Sequence, residues 1–139
     1  MPAIRAVVFD LDGVLVDSEP VWEEVRRRYV ADRGGRWRPD TQERLMGMST
    51  AEWSRYLAAE VIGGLEPRQV AEDVIEEIVR RYEADLPLMP GAVDAVRRVA
   101  DGGLPLGLSS SSPRTLIDFV LAEMGVADDD AETKGQAER

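Results

Sequence analysis

The sequence contains neither cysteine nor histidine. Without cysteine there is no disulfide, no thiolate zinc site and no thiol nucleophile. Without histidine there is no Ser-His-Asp triad and no imidazole metal site. Any catalysis falls to carboxylates, hydroxyls, backbone amides, arginine or a bound metal. Positive charge is also scarce: 17 Lys and Arg stand against 27 Asp and Glu, for a net charge of −10. Nucleic acid is therefore not expected as a partner, since binding it requires a basic surface. An acidic protein that handles phosphate must neutralise the anion locally, and magnesium held by carboxylates is the usual device. No apolar run approaches the ~20 residues of a membrane span, and the N-terminus lacks the pattern of a signal peptide. No membrane partner and a cytoplasmic location are expected. What is present, 44% hydrophobic and 32% charged residues in 139, reads as one ordinary globular domain or two small ones.

Ala3 to Phe9 form a short Val- and Ile-rich run that predicts a buried, parallel-type strand, ended by the turn signal Asp10–Gly13. Helical spacing follows. Val21, Trp22, Val25, Tyr29 and Val30 share one face, and Gly34-Gly35 ends it. Asp40 with Glu43, and Ser49 with Glu52, resemble capping boxes. The second opens a helix with Trp53, Leu57 and Val61, and Pro67 starts another with Val70, Val74, Ile78 and Tyr82. After the break at Leu86–Gly91 come a helix to Gly102-Gly103, a strand at Leu104 to Leu108, and a serine loop at Ser109 to Ser112. Ser112-Pro113 then caps a helix closed by Gly125. The expected class is α/β, parallel strands with a helical insertion after the first. Ala127 to Arg139 holds Asp128, Asp129, Asp130 and Glu132 and no apolar side chain larger than alanine, so it reads as a disordered acidic tail.

Asp10 and Asp12 fall just past a strand's carboxyl end, where α/β sheets place ligands. Residues two apart in an extended segment point the same way, so both carboxylates can face one group. A divalent cation relieves their repulsion. One aspartate can then attack phosphorus, and the other can give and take the proton. A plain turn is the simpler alternative. A calcium loop fails, because its Gly belongs at the sixth position and Gly13 is the fourth.

The whole string Phe9-Asp10-Leu11-Asp12-Gly13-Val14-Leu15-Val16-Asp17-Ser18-Glu19-Pro20 resembles the first motif of haloacid dehalogenase-like hydrolases. Within them it is similar to the capped phosphatase and phosphosugar-mutase branch. The resemblance implies a Rossmann-like core at 1–16 and 88–126 and a helical cap at 17–87. It implies Asp10 as nucleophile and Asp12 as acid/base, with the Asp10 carboxylate and the Asp12 carbonyl holding Mg2+. Leu11, Ser110 and Ser111 become phosphate-binding, with Ser109 the alternative to Ser110 if the register slips by one. A Mg2+-dependent phosphatase working on a small phosphorylated metabolite through an aspartyl-phosphate follows. Haloalkanoate dehalogenation would use the same nucleophile without needing Asp12. Trp22 falls where mutase-like members carry histidine, which argues against a phosphoglucomutase-type activity. Arg26, Arg27, Arg28, Arg33, Arg36 and Arg38 read as a solvated helix face or, alternatively, as contacts to an anionic substrate.

The family pattern also has a lysine followed by proline after a third strand and an acidic pair after a fourth. The single lysine, Lys134, stands in Thr133-Lys134-Gly135 with no proline after it, and Asp128–Asp130 precede it. The resemblance thus covers about residues 1–126 and implies a C-terminally truncated or frame-shifted member. The alternative function is a catalytically impaired fragment or a non-catalytic binding module. Two strands cannot cover their own edges, so association through unpaired edges is expected.

Overall fold

The computed structural model describes residues 3–125 and 131–135. The elements run β1 (Val7–Asp10), α1 (Glu19–Asp32), α2 (Thr41–Leu45), α3 (Thr50–Tyr56), α4 (Pro67–Ala84), α5 (Ala92–Asp101), β2 (Leu106–Ser110), α6 (Arg114–Glu123) and β3 (Ala131–Gly135). The chain divides between Ser18 and Glu19 and between Ala84 and Asp85. A core unit carries the strands with α5 and α6, and a helical unit carries α1 to α4. The class is α/β: parallel strands with a helical unit inserted after the first. Among the described residues no helix is long and apolar enough to cross a membrane.

In the core unit the strands lie in the order β1-β2-β3, all parallel. Register pairs Val7 with Leu106 and Asp10 with Ser109, and Ser109 in turn with Lys134. β1 is shorter than the Ala3–Phe9 run and is not covered on both faces: Val8 is 62% exposed. Among the described residues it pairs on one side only, so hydrogen bonding extends it no further than β2 allows. Leu106 and Leu108 of β2 are buried with Val96 of α5 and Leu116, Ile117 and Val120 of α6.

β3 corrects the expectation of a disordered tail at 131–135, while 127–130 and 136–139 lie outside the described residues. Strand pairing is made by backbone N–H and C=O groups, so it does not require the apolar run by which a strand is recognised in sequence.

In the helical unit, Val70, Val74, Ile78 and Tyr82 of α4 are all buried, as their four-residue spacing predicts. The capping box at Ser49 forms in both directions: the Glu52 amide donates to Ser49 Oγ at 3.2 Å, and the Ser49 amide to Glu52 Oε1 at 3.4 Å. The one at Asp40 does not. Its carboxylate instead accepts from Arg44 Nε at 2.8 Å. α3 runs on into a π-helical segment, Leu57–Ile62, with Leu57 and Val61 buried. Gly35 packs directly against that segment, where an added Cβ would lie 2.8 Å from both Val30 Cγ1 and the Val61 carbonyl oxygen. Only glycine fits that approach.

Candidate functional site

The site is built within the core unit, at the carboxyl ends of β1 and β2. Asp10 is the last residue of β1 and is exposed. The chain then folds into a tight loop over Leu11 to Val16. The Leu15 and Val16 amides donate to the Leu11 carbonyl at 3.0 Å each, and the Gly13 amide to the Val16 carbonyl at 2.7 Å. Gly13 has φ +80°, and nothing lies within 4 Å of where its Cβ would stand. Backbone conformation, not crowding, selects glycine here. The returning segment pins the loop: Met89 N donates to the Leu15 carbonyl and Asp17 N to the Pro87 carbonyl, both at 2.8 Å. Leu11, Leu15 and Val16 anchor it from below, each 2% exposed or less.

This loop presents Asp12 to three hydroxyls. Ser18 Oγ donates to Asp12 Oδ1 at 2.8 Å. Ser110 Oγ and Ser112 Oγ donate to Asp12 Oδ2 at 3.0 Å and 2.8 Å. The Ser112 amide donates in turn to Ser110 Oγ at 3.0 Å, which fixes that hydroxyl's orientation. All three serines are buried. Hydroxyls held on a carboxylate are charge-assisted donors and satisfy it without a cation.

Of the residues singled out in the sequence, Asp10, Asp12 and Ser110 come together. Ser109 stands beside Asp10 in register, but it is exposed and its hydroxyl does not reach Asp12. Ser111 is exposed next to the cluster. The Leu11 amide donates to the Ser109 carbonyl at 3.2 Å, continuing the pairing of β1 with β2, so it is already committed. Ser112 does not cap α6: Pro113 is the N-cap, with no side-chain capping bond, and the Ser112 hydroxyl goes to Asp12 instead. Ser18 and Ser112 are the members sequence reasoning missed. Ser18 lay inside the first motif, but it comes six positions after Asp12 through a loop, and no periodicity signals such a contact.

Among the described residues no group of three acidic side chains is placed to hold a metal ion. The donors that suit Mg2+ are the exposed Asp10 carboxylate and the Asp12 main-chain carbonyl, both hard oxygens. Mg2+ commonly takes one or two carboxylates and completes its shell with waters and substrate phosphate, so this donor set fits it.

The sequence matches the family described as haloacid dehalogenase-like hydrolase over residues 4–138. Hexitol phosphatase B of Escherichia coli (strain K12) is 32% identical over 130 residues, covering 90% of this chain and 57% of that protein. A phosphorylated carbohydrates phosphatase of Thermotoga maritima is 34% identical over 113 residues, covering 80% of this chain and 51% of its own length. The chain thus spans little more than half the length of these curated relatives. The crystal structure of β-phosphoglucomutase from Clostridium difficile superposes with a TM-score of 0.74 at 23% identity, over 99% of this chain and 64% of that one, which is a likeness of fold. Motif, fold and a match over nearly the whole chain agree, and the chain belongs to the haloacid dehalogenase-like hydrolases.

Proposed function

We propose that this chain carries the nucleophilic half of a Mg2+-dependent phosphatase that acts on a small phosphorylated sugar or polyol. The observation that carries the reading is the unequal treatment of two carboxylates two residues apart. Asp10 is exposed at a strand end, and Asp12 is held by three hydroxyls. A nucleophile must be accessible, and a proton carrier must be oriented. The names of the two relatives support a phosphorylated carbohydrate as the substrate class.

Asp10 attacks phosphorus, and the alcohol leaves with a proton from Asp12, giving an aspartyl-phosphate. Water then attacks that phosphorus, losing its proton to Asp12, and inorganic phosphate is released. Ser110 Oγ and the Ser111 amide are the phosphate donors. Ser110 can serve the phosphate only by turning from Asp12, so arrival of substrate loosens the carboxylate that must exchange the proton. Mg2+ on the Asp10 carboxylate and the Asp12 carbonyl would neutralise charge on the phosphoryl oxygens. The helical unit stands where the family's cap is inserted, and its role is to select the substrate.

A second reading, a non-catalytic module, is favoured by one observation: among the described residues no group of three acidic side chains is placed to hold a metal ion. Hydrolysis of a chromogenic aryl phosphate with Mg2+ separates the two. Turnover by the wild-type chain that falls at least ~10³-fold in Asp10→Asn is expected. Turnover that survives Asp10→Asn overturns the nucleophile, and a wild type without turnover leaves the binding module.

A further inference from the structure

Among the described residues Arg26 is the one charged side chain that is buried, at 8% exposure. It is not part of a solvated helix face. It lies one turn after Trp22 on α1, and Trp53 of α3 closes on it. Its guanidinium carbon stands 4.8 Å from the Trp22 ring centroid and 4.6 Å from that of Trp53. The two indoles meet edge to face, 5.7 Å apart at 75°, so Arg26 occupies the corner they make. Trp53 is 2% exposed, whereas Trp22 is half-buried.

Among the described residues no acid accompanies this cation. Neighbouring arginines in the same sequence cluster have carboxylates: Arg27 pairs with Glu23 at 3.5 Å and Arg33 with Asp73 at 3.5 Å. In a chain with ten more acidic than basic side chains, the buried arginine takes two indoles instead. Its Nε is buried and has no hydrogen-bond acceptor. Burial pulls the guanidinium down to about 10, with no acidic neighbour to restore it. Cation–π contact uses the face of the group and leaves the in-plane Nε–H without an acceptor. A buried charge without a counter-ion is costly, and an oxyanion arriving in that plane removes the cost while supplying the missing acceptor.

We propose that Trp22, Arg26 and Trp53 form a binding site for an oxyanion, the carboxylate or phosphate group of a small molecule, within the helical unit. The site shares no residue with the Asp10 and Asp12 cluster, and the inference does not rest on the phosphatase reading. Displacement of the Trp22 indole is the way in, and it gives the site a built-in reporter.

Tryptophan emission of the full chain tests this. Trp22, Trp37 and Trp53 all belong to the helical unit and the core unit has none, so the Arg26 variants identify the part of the signal that comes from this site. The probes are inorganic phosphate and, separately, acetate, each titrated against chloride at constant ionic strength. A saturable change with at least one probe is expected, together with a rise in melting temperature caused by that probe. Saturation by phosphate alone, by acetate alone or by both identifies the oxyanion class accepted. Arg26→Gln should abolish saturation, and its melting temperature in chloride should equal or exceed wild type, because an uncompensated buried charge is gone. Arg26→Lys keeps the charge without the planar donors, and should weaken binding at least ~10-fold. If Arg26→Gln fails to fold, the lysine variant still decides. Ser110→Ala should leave the emission change intact. No saturable change with either probe overturns the site, as does saturation that persists in Arg26→Gln or disappears in Ser110→Ala.

Discussion

Three hydroxyls on one carboxylate make Asp12 the best-held side chain of the site, and they are not equivalent. Ser110 Oγ donates to Asp12 and also accepts from the Ser112 amide, whereas Ser112 Oγ only donates. Removing a donor from a charged acceptor costs more than the average hydrogen bond, and leaving a buried N–H unmet adds to it. Ser110→Ala is therefore expected to cost about 2–3 kcal/mol and Ser112→Ala about 1–2 kcal/mol in urea unfolding. The reverse order would mean that the Ser112 amide does not depend on Ser110. In kinetics, Ser110→Ala should raise KM for an aryl phosphate, as a phosphate donor should, and Ser18→Ala should lower kcat with little change in KM. Tyr29 gives a residue-scale pH dependence. Burial and its hydrogen bond to Asp73 Oδ2 at 2.8 Å raise the phenol from 10 to about 12. Between those values the folded chain holds a proton that the unfolded chain has lost, so stability falls as pH rises. The contribution is complete below pH 10 and lost through about 12. Melting temperatures from pH 8 to about 12 should therefore decline more steeply for wild type than for Tyr29→Phe. Parallel curves would remove Tyr29 as the cause.

The helices separate signals that the sequence makes alike. Ser49 and Asp40 both stand three residues before a glutamate, yet only Ser49 completes the reciprocal cap, and Asp40 spends its carboxylate on Arg44. Ser49→Ala should cost about 1 kcal/mol, visible as a lowered denaturant midpoint. Asp40→Ala should leave the midpoint unchanged, because an exposed ion pair is screened by water and salt. Equal losses at the two positions would contradict this assignment. The buried row of α4 was legible because helical burial repeats at fixed spacing and a single helix carries the whole pattern. β3 was not legible, because a strand on the end of a sheet is specified by the partner it lies beside, and that partner is distant in sequence. The same holds for Arg26. Its spacing places it on α1, but only the packing of α3 against that helix turns an ordinary surface arginine into a buried cation.

At the scale of the whole molecule, the described residues leave an apolar edge exposed. β1 pairs only with β2 among the described residues, and Val8 is 62% exposed on it with Ile4, 72% exposed, just before. Such an edge invites pairing with another chain, and a charge placed on it opposes that. Light scattering across a concentration series should show self-association that Val8→Lys suppresses, and scattering independent of concentration in the wild type would sink the idea. What the sequence by itself determined is the family motif, the parallel α/β class, the helical insertion after the first strand and the helix positions within it. All of these rest on local strings and short-range periodicity. Only the tertiary structure decided that Ser18 and Ser112 join Ser110 on Asp12, that the Leu11 amide is already committed, that 131–135 form a strand, and that Arg26 is buried without a counter-ion. Most of those depend on segments brought together across tens of residues, and the Ser18 contact depends on a loop that closes over six. Hydrogen bonds and burial form in space between such segments, and neither leaves a repeat in the chain.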